Sequence, residues 1–327
     1  MVKLVQSNVN LTGIYRFYLD GELVGEQKNA LTVAGRSIII KSLLGIIPDF
    51  ADVIAYGIDG TPNTLNSAST LITNNTLGFE IGRTPVVGGS FKLAGTNDSL
   101  VYSGTIVDQY QYNIYEVGLY PALDNNESLT VEGETLYDFD LIDRFVKYGT
   151  YFTSASLTTT PYVRIGTQML SIPQGDGTTN YMETTLDTSA MSLLKTYSSQ
   201  DLFKLALFNN GSSGASVYFR FYTDDSNHYT VPFVSTAASG YKIISVEKGT
   251  ATITGTPDWQ TINKLRIWSA GSTPVILDAM KIDVGSYFLD TTFGMISRAT
   301  LPAPIFKPAS IPLTIEYSLI VNFSGGV

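Results

Sequence analysis

Residues Asn113–Tyr120, with the sequence Asn-Ile-Tyr-Glu-Val-Gly-Leu-Tyr, form the stretch around which most of the chain is organised. Their side chains alternate in part between two faces, with Tyr115 and Leu119 on the same one, and this spacing predicts a β-strand. Pro121 has no amide proton and ends the strand. Glu116 lies on the less apolar face, and because unpaired buried acids are rare, we expect it to be a rim residue or a hydrogen-bonded sheet residue.

The composition indicates a folded, mainly β protein. The chain has 327 residues, of which 44% are hydrophobic and 15% charged, so it is long enough for about two domains. Its 20 Tyr and 16 Phe favour β structure. One convincing helix is predicted at 33–44, with Thr32 as N-cap and Gly45 as C-cap, and we expect it to cover one face of a sheet.

Charge and residue usage argue against several classes of function. The net charge is −9 without any basic block, so we expect no nucleic-acid partner. There is no cysteine, which leaves neither disulfides nor thiolate metal sites. No segment reaches the roughly 20 apolar residues of a membrane helix, and the N-terminus has no apolar signal-peptide region. We therefore expect no membrane insertion.

The sequence divides into a split module and an insert. Residues 123–147 are acidic, lack the ligand spacing of a calcium loop, and are interpreted as a solvated linker. In 148–285 strand candidates recur at intervals of about 8 to 12 residues, as in all-β sandwiches, so this region is predicted to be an inserted β-sandwich of jelly-roll type. Residues 1–122 and 286–327 would then form one discontinuous β-rich module with one covering helix.

Residues 11–24 are predicted to form a β-hairpin, because Asp20-Gly21 is a strong signal for a tight turn. Three further strands are predicted within the split module. Residues 313–323 alternate strictly and are expected to lie in the same sheet as Asn113–Tyr120. Residues 100–107 are expected to pair with 110–120. The proline-rich segment 301–308 is predicted to be an extended edge, because proline cannot donate to a sheet ladder.

The sequence offers little for catalysis, and we predict a protein that is not an enzyme, with no catalytic, cofactor-binding or metal-binding residues. Its single histidine, His228, follows a polar turn and is interpreted as an exposed turn residue without partners for a catalytic triad or a metal site. Glycoside hydrolysis would need only two carboxylates, but nothing orders a particular pair. Four aromatic residues of the insert are candidates for stacking on a glycan, with packing in the core as the alternative: Trp259, Trp268, Tyr218 and Tyr229.

Two resemblances extend this interpretation. Residues 276–283 resemble the closing strand of jelly-roll carbohydrate-binding modules, where an Asp follows an apolar pair, and Pro257-Asp258-Trp259 resembles the strand before it. In the split module, a series of short motifs resembles the small β-rich module of tailed-bacteriophage virion proteins, with 165 or so residues inserted before the closing strands. These motifs are 29–35, 43–45, 54–57, 77–83, 114–120, 305–307 and 315–319.

The bacteriophage resemblance implies a virion structural protein of the tail-fibre, baseplate or neck-appendage type, assembled in the host cytoplasm. The split module would dock to other virion proteins and to copies of itself, with a trimer favoured. The sandwich would project outward and contact a host surface glycan. Alternatives are a head decoration or capsid fibre protein, and a free carbohydrate-binding or glycan-degrading protein.

Overall fold

The computed structural model describes residues 8–45, 50–60, 77–94, 97–121, 134–159, 163–211, 214–236, 239–271, 274–283 and 294–324. The described chain is mainly β, as the sequence predicts. It divides into two compact units. Unit 1 consists of Met1–Val131 and Leu289–Val327, and unit 2 consists of Glu132–Phe288.

The elements follow one another in chain order. The first segment of unit 1 contains β1 (Asn8–Leu19), β2 (Glu22–Lys28), β3 (Ala30–Leu31), α1 (Val33–Leu43), β4 (Val53–Gly57), β5 (Glu80–Pro85), β6 (Gly89–Ala94), β7 (Asn97–Ile106) and β8 (Tyr112–Tyr120). Unit 2 contains β9 (Glu134–Tyr137), β10 (Val146–Tyr148), β11 (Ser156–Thr158), β12 (Met169–Ile172), β13 (Tyr181–Thr185), α2 (Thr188–Thr196), β14 (Leu202–Asn209), β15 (Ala215–Asp224), β16 (Asn227–Ser235), β17 (Gly240–Glu247), β18 (Thr252–Thr254), β19 (Lys264–Ser269) and β20 (Val275–Asp283). The chain returns to unit 1 with β21 (Ser297–Lys307) and β22 (Leu313–Ser324).

Unit 1 contains two five-stranded antiparallel sheets, in the orders β2-β1-β22-β7-β6 and β3-β21-β8-β4-β5. Their apolar faces meet in a core that includes the fully buried side chains of Tyr15, Tyr317 and Val117. A hydrogen bond of 2.7 Å joins the Tyr15 hydroxyl on β1 to Ser297 Oγ on β21. The two sheets therefore contact each other directly through buried side chains.

Two of the predicted strand neighbours are wrong. Residues 313–323 lie in β22, which is in the other sheet from β8, and β7 pairs with β6 and β22 rather than with β8. Alternation of apolar residues shows that each strand has a buried face, but it does not show which strand lies beside it. The neighbours of β8 are β4 and β21. The prolines of 301–304 fall where the register of β21 and β8 shifts, between Thr300 and Ile305.

The local turn and cap predictions are confirmed. Asp20 and Gly21, with φ of 49° and 82°, connect β1 to β2, as expected for a tight hairpin turn. Helix α1 begins after Thr32, whose Oγ1 accepts a 2.7 Å hydrogen bond from the Gly35 amide. Beyond the end of α1, Gly45 has a φ of 68°, which is the left-handed conformation that glycine adopts without steric cost.

Glu116 holds several parts of unit 1 together. Its carboxylate is fully buried and accepts hydrogen bonds from the amides of Gly78 (2.9 Å) and Phe79 (2.8 Å). Arg298 on β21 donates to Glu116 Oε2 from Nη2 at 2.6 Å and from Nε at 3.1 Å. The expectation of a hydrogen-bonded sheet residue is confirmed, and the partner charge comes from the segment that follows the insert.

Unit 2 is a β-sandwich. A six-stranded sheet with the order β10-β13-β19-β15-β16-β18 faces a five-stranded sheet with the order β11-β12-β20-β14-β17, and β9 pairs with β20 beside the latter. Between the sheets, the rings of Phe203 and Phe221 stack with centroids 5.4 Å apart. The core is aromatic and aliphatic, as the alternating strands predict.

The expected linker at 123–147 is not a linker over its described part, 134–147. This segment contains β9 and runs into β10, and its Tyr137, Phe139 and Phe145 are buried in the core of unit 2. The acidic residues between these aromatic side chains dominate the local composition, but the aromatic residues decide where the segment packs. Residues 123–133 lie outside the described residues.

Helix α2 was not predicted from the sequence. Asp187 caps it by accepting a 2.8 Å hydrogen bond from the Ala190 amide, and Leu193 and Leu194 are buried on its inner side. The sequence carried a signal in Asp187, which is a favourable N-cap residue. Because the helix is short and lies between strands, the helical spacing of its apolar residues does not stand out in the sequence.

Each unit brings the chain back beside the point where it left. In unit 1, Leu119 near the end of β8 pairs with Ser297 at the start of β21. In unit 2, Glu134 at the start of β9 pairs with Ile282 near the end of β20. This is the geometry that an inserted domain requires, because its two ends must meet the host fold at neighbouring points.

Candidate functional site

The outer face of the six-stranded sheet in unit 2 carries an unusual concentration of aromatic and cationic side chains. Along β15, Phe219 and Phe221 point into the core and are buried. By the alternation of a strand, Tyr218, Arg220 and Tyr222 point to the opposite face. The sequence places polar and aromatic residues on this face in every long strand of the sheet.

Two stacked aromatic pairs lie on the outer face. Tyr148 on β10 is opposite Tyr181 on β13, and their ring centroids are 4.6 Å apart. Tyr218 on β15 is opposite Trp268 on β19, with centroids 5.1 Å apart and planes only 8° from parallel. In each pair, one face of each ring packs against the other ring, and this contact fixes the orientation of both rings.

Only part of this aromatic surface is open. Trp268 is 6% exposed, and a Cβ added to Gly177 would lie 2.8 Å from its ring. The loop backbone thus covers Trp268. Tyr148, in contrast, is 39% exposed, so the open ring is at the edge of the sheet.

An ion-pair network fixes the polar residues beside these rings. Arg266 donates to Glu183 Oε2 from Nη2 at 2.8 Å and from Nε at 3.1 Å. Its Nη1 donates to the Gly177 carbonyl at 2.8 Å. The Arg266 guanidinium also lies 3.7 Å from the centroid of the Tyr181 ring. Glu183 is therefore held in one orientation by a neighbouring strand.

A groove of about 650 Å³ opens where the short edge strand β10 ends. Strand β10 pairs with β13 only over Tyr181–Glu183, so no described strand covers Thr185 on that side. The volume of the groove is within the range of small-molecule sites. It is lined by Tyr137, Arg144, Val146, Tyr148, Glu183, Thr184, Thr185 and Asp187.

The groove presents polar atoms that the described residues leave unused. Arg144 is exposed and forms no ion pair within the described chain. Glu183 is held through Oε2 and Asp187 through Oδ1, so one carboxylate oxygen of each has no described hydrogen-bond donor. Burial raises the pKa of Tyr137 above its ordinary value; the charge of Asp187 raises it further, whereas Arg144 lowers it. The Tyr137 hydroxyl therefore stays protonated and can donate a hydrogen bond.

None of the four sequence-predicted aromatic residues lines this groove. Trp259 and Tyr229 stack on each other with centroids 4.1 Å apart, and both pack against the core of unit 2. Trp268 and Tyr218 lie on the outer face as described above. Trp268 also belongs to the buried cluster of unit 2 and Tyr218 packs against it, so the alternative of core packing describes all four residues.

The sequence does not predict the residues that line the groove as site residues. Arg144 and Val146 lie in the segment expected to be a linker, and Tyr148 is the first residue of the predicted sandwich. The sequence feature that could have identified these residues is the presence of aromatic residues within an acidic segment. Tyr148 lies on the edge strand β10, and the sequence of one strand does not show that it is at the edge of a sheet.

The interpretation of His228 as an exposed turn residue is wrong. It lies in β16 opposite Tyr222, with ring centroids 5.0 Å apart, and its Nδ1 is buried without a described hydrogen-bond partner. Burial lowers its pKa, and the charges of Arg220 and Arg266 lower it further. Asp225 and Ser226 form the turn, and β16 already begins at Asn227, so His228 is a strand residue.

Two features are absent from the described residues. No group of three or more His, Cys, Asp or Glu side chains among them is arranged to hold a metal ion. In the same part of the chain, no helix has the length and apolar character needed to cross a membrane.

Comparison with known proteins gives matches at the level of structure. No protein-family model and no curated protein sequence match the chain. A family 11 carbohydrate-binding module from Clostridium thermocellum, in complex with a β-1,3-1,4-mixed-linked tetrasaccharide, is similar with 14% identity over 48% of this chain and 98% of that chain, at a TM-score of 0.32.

The names of two other similar structures also mention a sugar. The xylan-binding domain of Paenibacillus barcinonensis has 13% identity over 47% of this chain and 96% of its own, at a TM-score of 0.27. The exo-β-1,3-galactanase of Phanerochaete chrysosporium with galactose has 9% identity over 62% of this chain and 59% of its own, at a TM-score of 0.29.

Proposed function

We propose that unit 2 is a glycan-binding module and that its ligand occupies the groove at the edge of the six-stranded sheet. The observation that carries this proposal is the exposed ring of Tyr148, fixed by stacking on Tyr181, at the wall of a groove of about 650 Å³. An oriented aromatic surface beside unused polar atoms suits a molecule with both apolar and hydroxyl-bearing faces.

The chemistry of a sugar ring matches this lining. Its C–H face is apolar and packs on an aromatic side chain such as Tyr148. Its hydroxyl groups are both donors and acceptors, and need partners of both kinds when they are desolvated. Glu183 and Asp187 supply acceptors, and Arg144 supplies donors.

The same residues favour binding over hydrolysis. A glycosidase needs one carboxyl group to act as a proton donor and a second to act as a base or nucleophile. Here Glu183 is already paired with Arg266, and Asp187 is already the N-cap of α2. We therefore propose a protein that is not an enzyme.

A glycan array probed with the whole chain tests this function. We expect retention of at least one glycan, and we expect Tyr148→Ala to weaken its binding about tenfold or more, which corresponds to about 1.4 kcal/mol. Tyr151→Ala is the matched control, because Tyr151 is 64% exposed but does not line the groove. Equal losses for both variants, or no retained glycan, would refute the proposal.

We further propose that the chain is an appendage protein of a bacteriophage particle, located in the virion, with unit 1 as the docking base. This rests on the resemblance of the split module and is supported by the adjacency of Leu119 and Ser297, which permits an insert to project from the base. We expect unit 1 to contact other virion proteins and copies of itself in a closed oligomer, with a trimer favoured.

Particle purification and light scattering test this second part. We expect the chain to sediment with purified phage particles and to scatter light as an oligomer. A stable monomer at micromolar concentration that never enters particles would contradict the virion role and would leave the glycan-binding module as a free protein.

A further inference from the structure

We propose that Arg220 forms a subsite for a negatively charged substituent of the bound sugar, so that the ligand of unit 2 is an acidic glycan. This inference rests on the proposed glycan binding by unit 2. The shared chemistry is a single oxyanion, present on sugars as a carboxylate or as a sulfate.

The first observation is the charge balance on the outer face of the six-stranded sheet. Arg266 is neutralised by Glu183 at 2.8 Å, and Lys264 by Asp225 at 2.8 Å. Arg220 lies on β15, next to the strand that carries Arg266 and Lys264. It forms no ion pair with a carboxylate in the described part of the chain. Its charge is therefore not compensated by a carboxylate of the described residues.

The second observation is that Arg220 is held in place by neutral groups. Its Nε donates to Thr230 Oγ1 at 3.1 Å, and its Nη1 lies 3.4 Å from the Tyr222 hydroxyl. Its guanidinium carbon lies 4.7 Å from the centroid of the Trp268 ring. No described residue accepts a hydrogen bond from Nη2. An arginine held in this way loses little conformational entropy on binding an oxyanion.

Exposed hydroxyl groups lie on the same face as Arg220. Thr252 and Thr254 on β18 are exposed and lie opposite Thr230 and His228, two strands from Arg220. His228 lies two residues before Thr230 on β16, but its Nδ1 is buried. Hydroxyl groups near a guanidinium are suitable partners for an oxyanion.

The local electrostatics agree with an anion site. The whole chain has a net charge of −9, yet the charges that act on His228 are those of Arg220 and Arg266, and they lower its pKa after burial has done so. The charges of these two arginines therefore act together at this point of the sheet, where they favour an anionic ligand.

The position of Arg220 allows one oligosaccharide to reach both it and the groove. Glu183 is opposite Arg266 and Arg266 is opposite Arg220 in the sheet register. Two interstrand spacings, about 10 Å, separate Arg220 from Glu183. A chain of sugars lying across the strands would span this distance on one face.

The test uses the whole protein on an array of matched oligosaccharides. Each uronate-bearing glycan is printed beside its carboxyl-reduced form, and each sulfated glycan beside its desulfated form. We expect binding to the acidic members, about tenfold weaker binding to their neutral forms, and weakening of the acidic binding by added salt. The uronate and sulfate arms show which oxyanion is bound.

Variants separate this inference from the proposed function. We expect Arg220→Gln to lower affinity for the acidic glycan to that for its neutral form, with Arg220→Lys retaining part of the difference. Lys195→Gln, which removes an exposed charge on α2, is the control and should change nothing. Equal binding of acidic and neutral forms, or an unchanged Arg220→Gln, would overturn the inference and leave glycan binding intact. Absence of all binding would overturn both.

Discussion

Among single residues, Glu116 contributes most clearly to the stability of unit 1. Its carboxylate is fully buried, and burial raises its pKa while the charge of Arg298 lowers it. Glu116→Gln would break the buried ion pair between Glu116 and Arg298. We expect a loss of about 3–5 kcal/mol in the free energy of unfolding of unit 1, because breaking a buried ion pair is strongly destabilising.

Urea denaturation followed by circular dichroism measures this loss. Glu26→Gln provides the control, since Glu26 also pairs with an arginine at 2.7 Å but its side chain is 46% exposed. Surface pairs contribute less than about 1 kcal/mol. If both variants unfolded at the same urea concentration as the native chain, the assigned importance of Glu116 would be wrong.

Asp278 makes the stability of unit 2 depend on pH. It is fully buried and accepts hydrogen bonds from the Tyr241 hydroxyl at 2.7 Å and from the Arg164 amide at 3.0 Å. Burial raises its pKa to about 7, although these hydrogen bonds act in the opposite direction. In the unfolded chain an Asp has a pKa near 3.9.

The sign of the effect follows from proton uptake. Between about pH 4 and pH 7 the folded chain binds a proton at Asp278 that the unfolded chain has released, so stability falls as pH rises, by at most about 1.4 kcal/mol per unit. The contribution is full below about pH 4 and lost above about pH 7. Denaturation at several pH values should show this slope in the native chain and not in Asp278→Asn. Equal slopes would contradict the assignment.

At the scale of elements, helix α1 approaches β21 closely enough to require a glycine. A Cβ added to Gly35 would lie 2.0 Å from the Ile296 carbonyl oxygen. We therefore expect Gly35→Ala to destabilise unit 1 by about 1–3 kcal/mol through overpacking, although alanine has the higher helix propensity.

Thermal unfolding of Gly35→Ala measures this effect, with Arg36→Ala as the control. Arg36 is exposed on the same turn of the helix, so its replacement should be neutral or slightly stabilising. A more stable Gly35→Ala variant would show that helix propensity outweighs the close approach, contrary to the packing described here.

The elements also show what the sequence can predict. The β1–β2 hairpin, α1 with its Thr32 cap, and the alternating strand β22 were predicted because their signals are local. The partners of β8 were not, because alternation fixes a buried face and leaves the neighbour open. Part of the candidate site was missed for a related reason: Tyr148 lies on β10, the edge strand of its sheet, and the position of a strand in its sheet is not readable from the strand itself.

At the scale of the whole molecule, the central structural expectation is that the two units are independent folding units. Each has its own pair of sheets, and the chain crosses between them beside Leu119 and Ser297. We expect a chain in which a short Gly/Ser linker replaces residues 132–288 to unfold cooperatively, and residues 132–288 alone to melt as one unit.

The tryptophans make this measurable in the whole chain. Both Trp259 and Trp268 lie in unit 2, so tryptophan fluorescence reports unit 2, whereas circular dichroism reports both units. We expect Glu116→Gln to shift the circular dichroism transition and to leave the fluorescence transition in place. A shortened chain that is insoluble or lacks cooperative unfolding would contradict the division into units.

The most direct test of the account is a crystal structure of the chain with a glycan selected on the array. We predict a sugar ring against the exposed face of Tyr148, with hydroxyl groups within hydrogen-bonding distance of Arg144 and Glu183. A glycan bound on the five-stranded sheet, or on unit 1, would contradict the proposal that the groove beside β10 is the binding site.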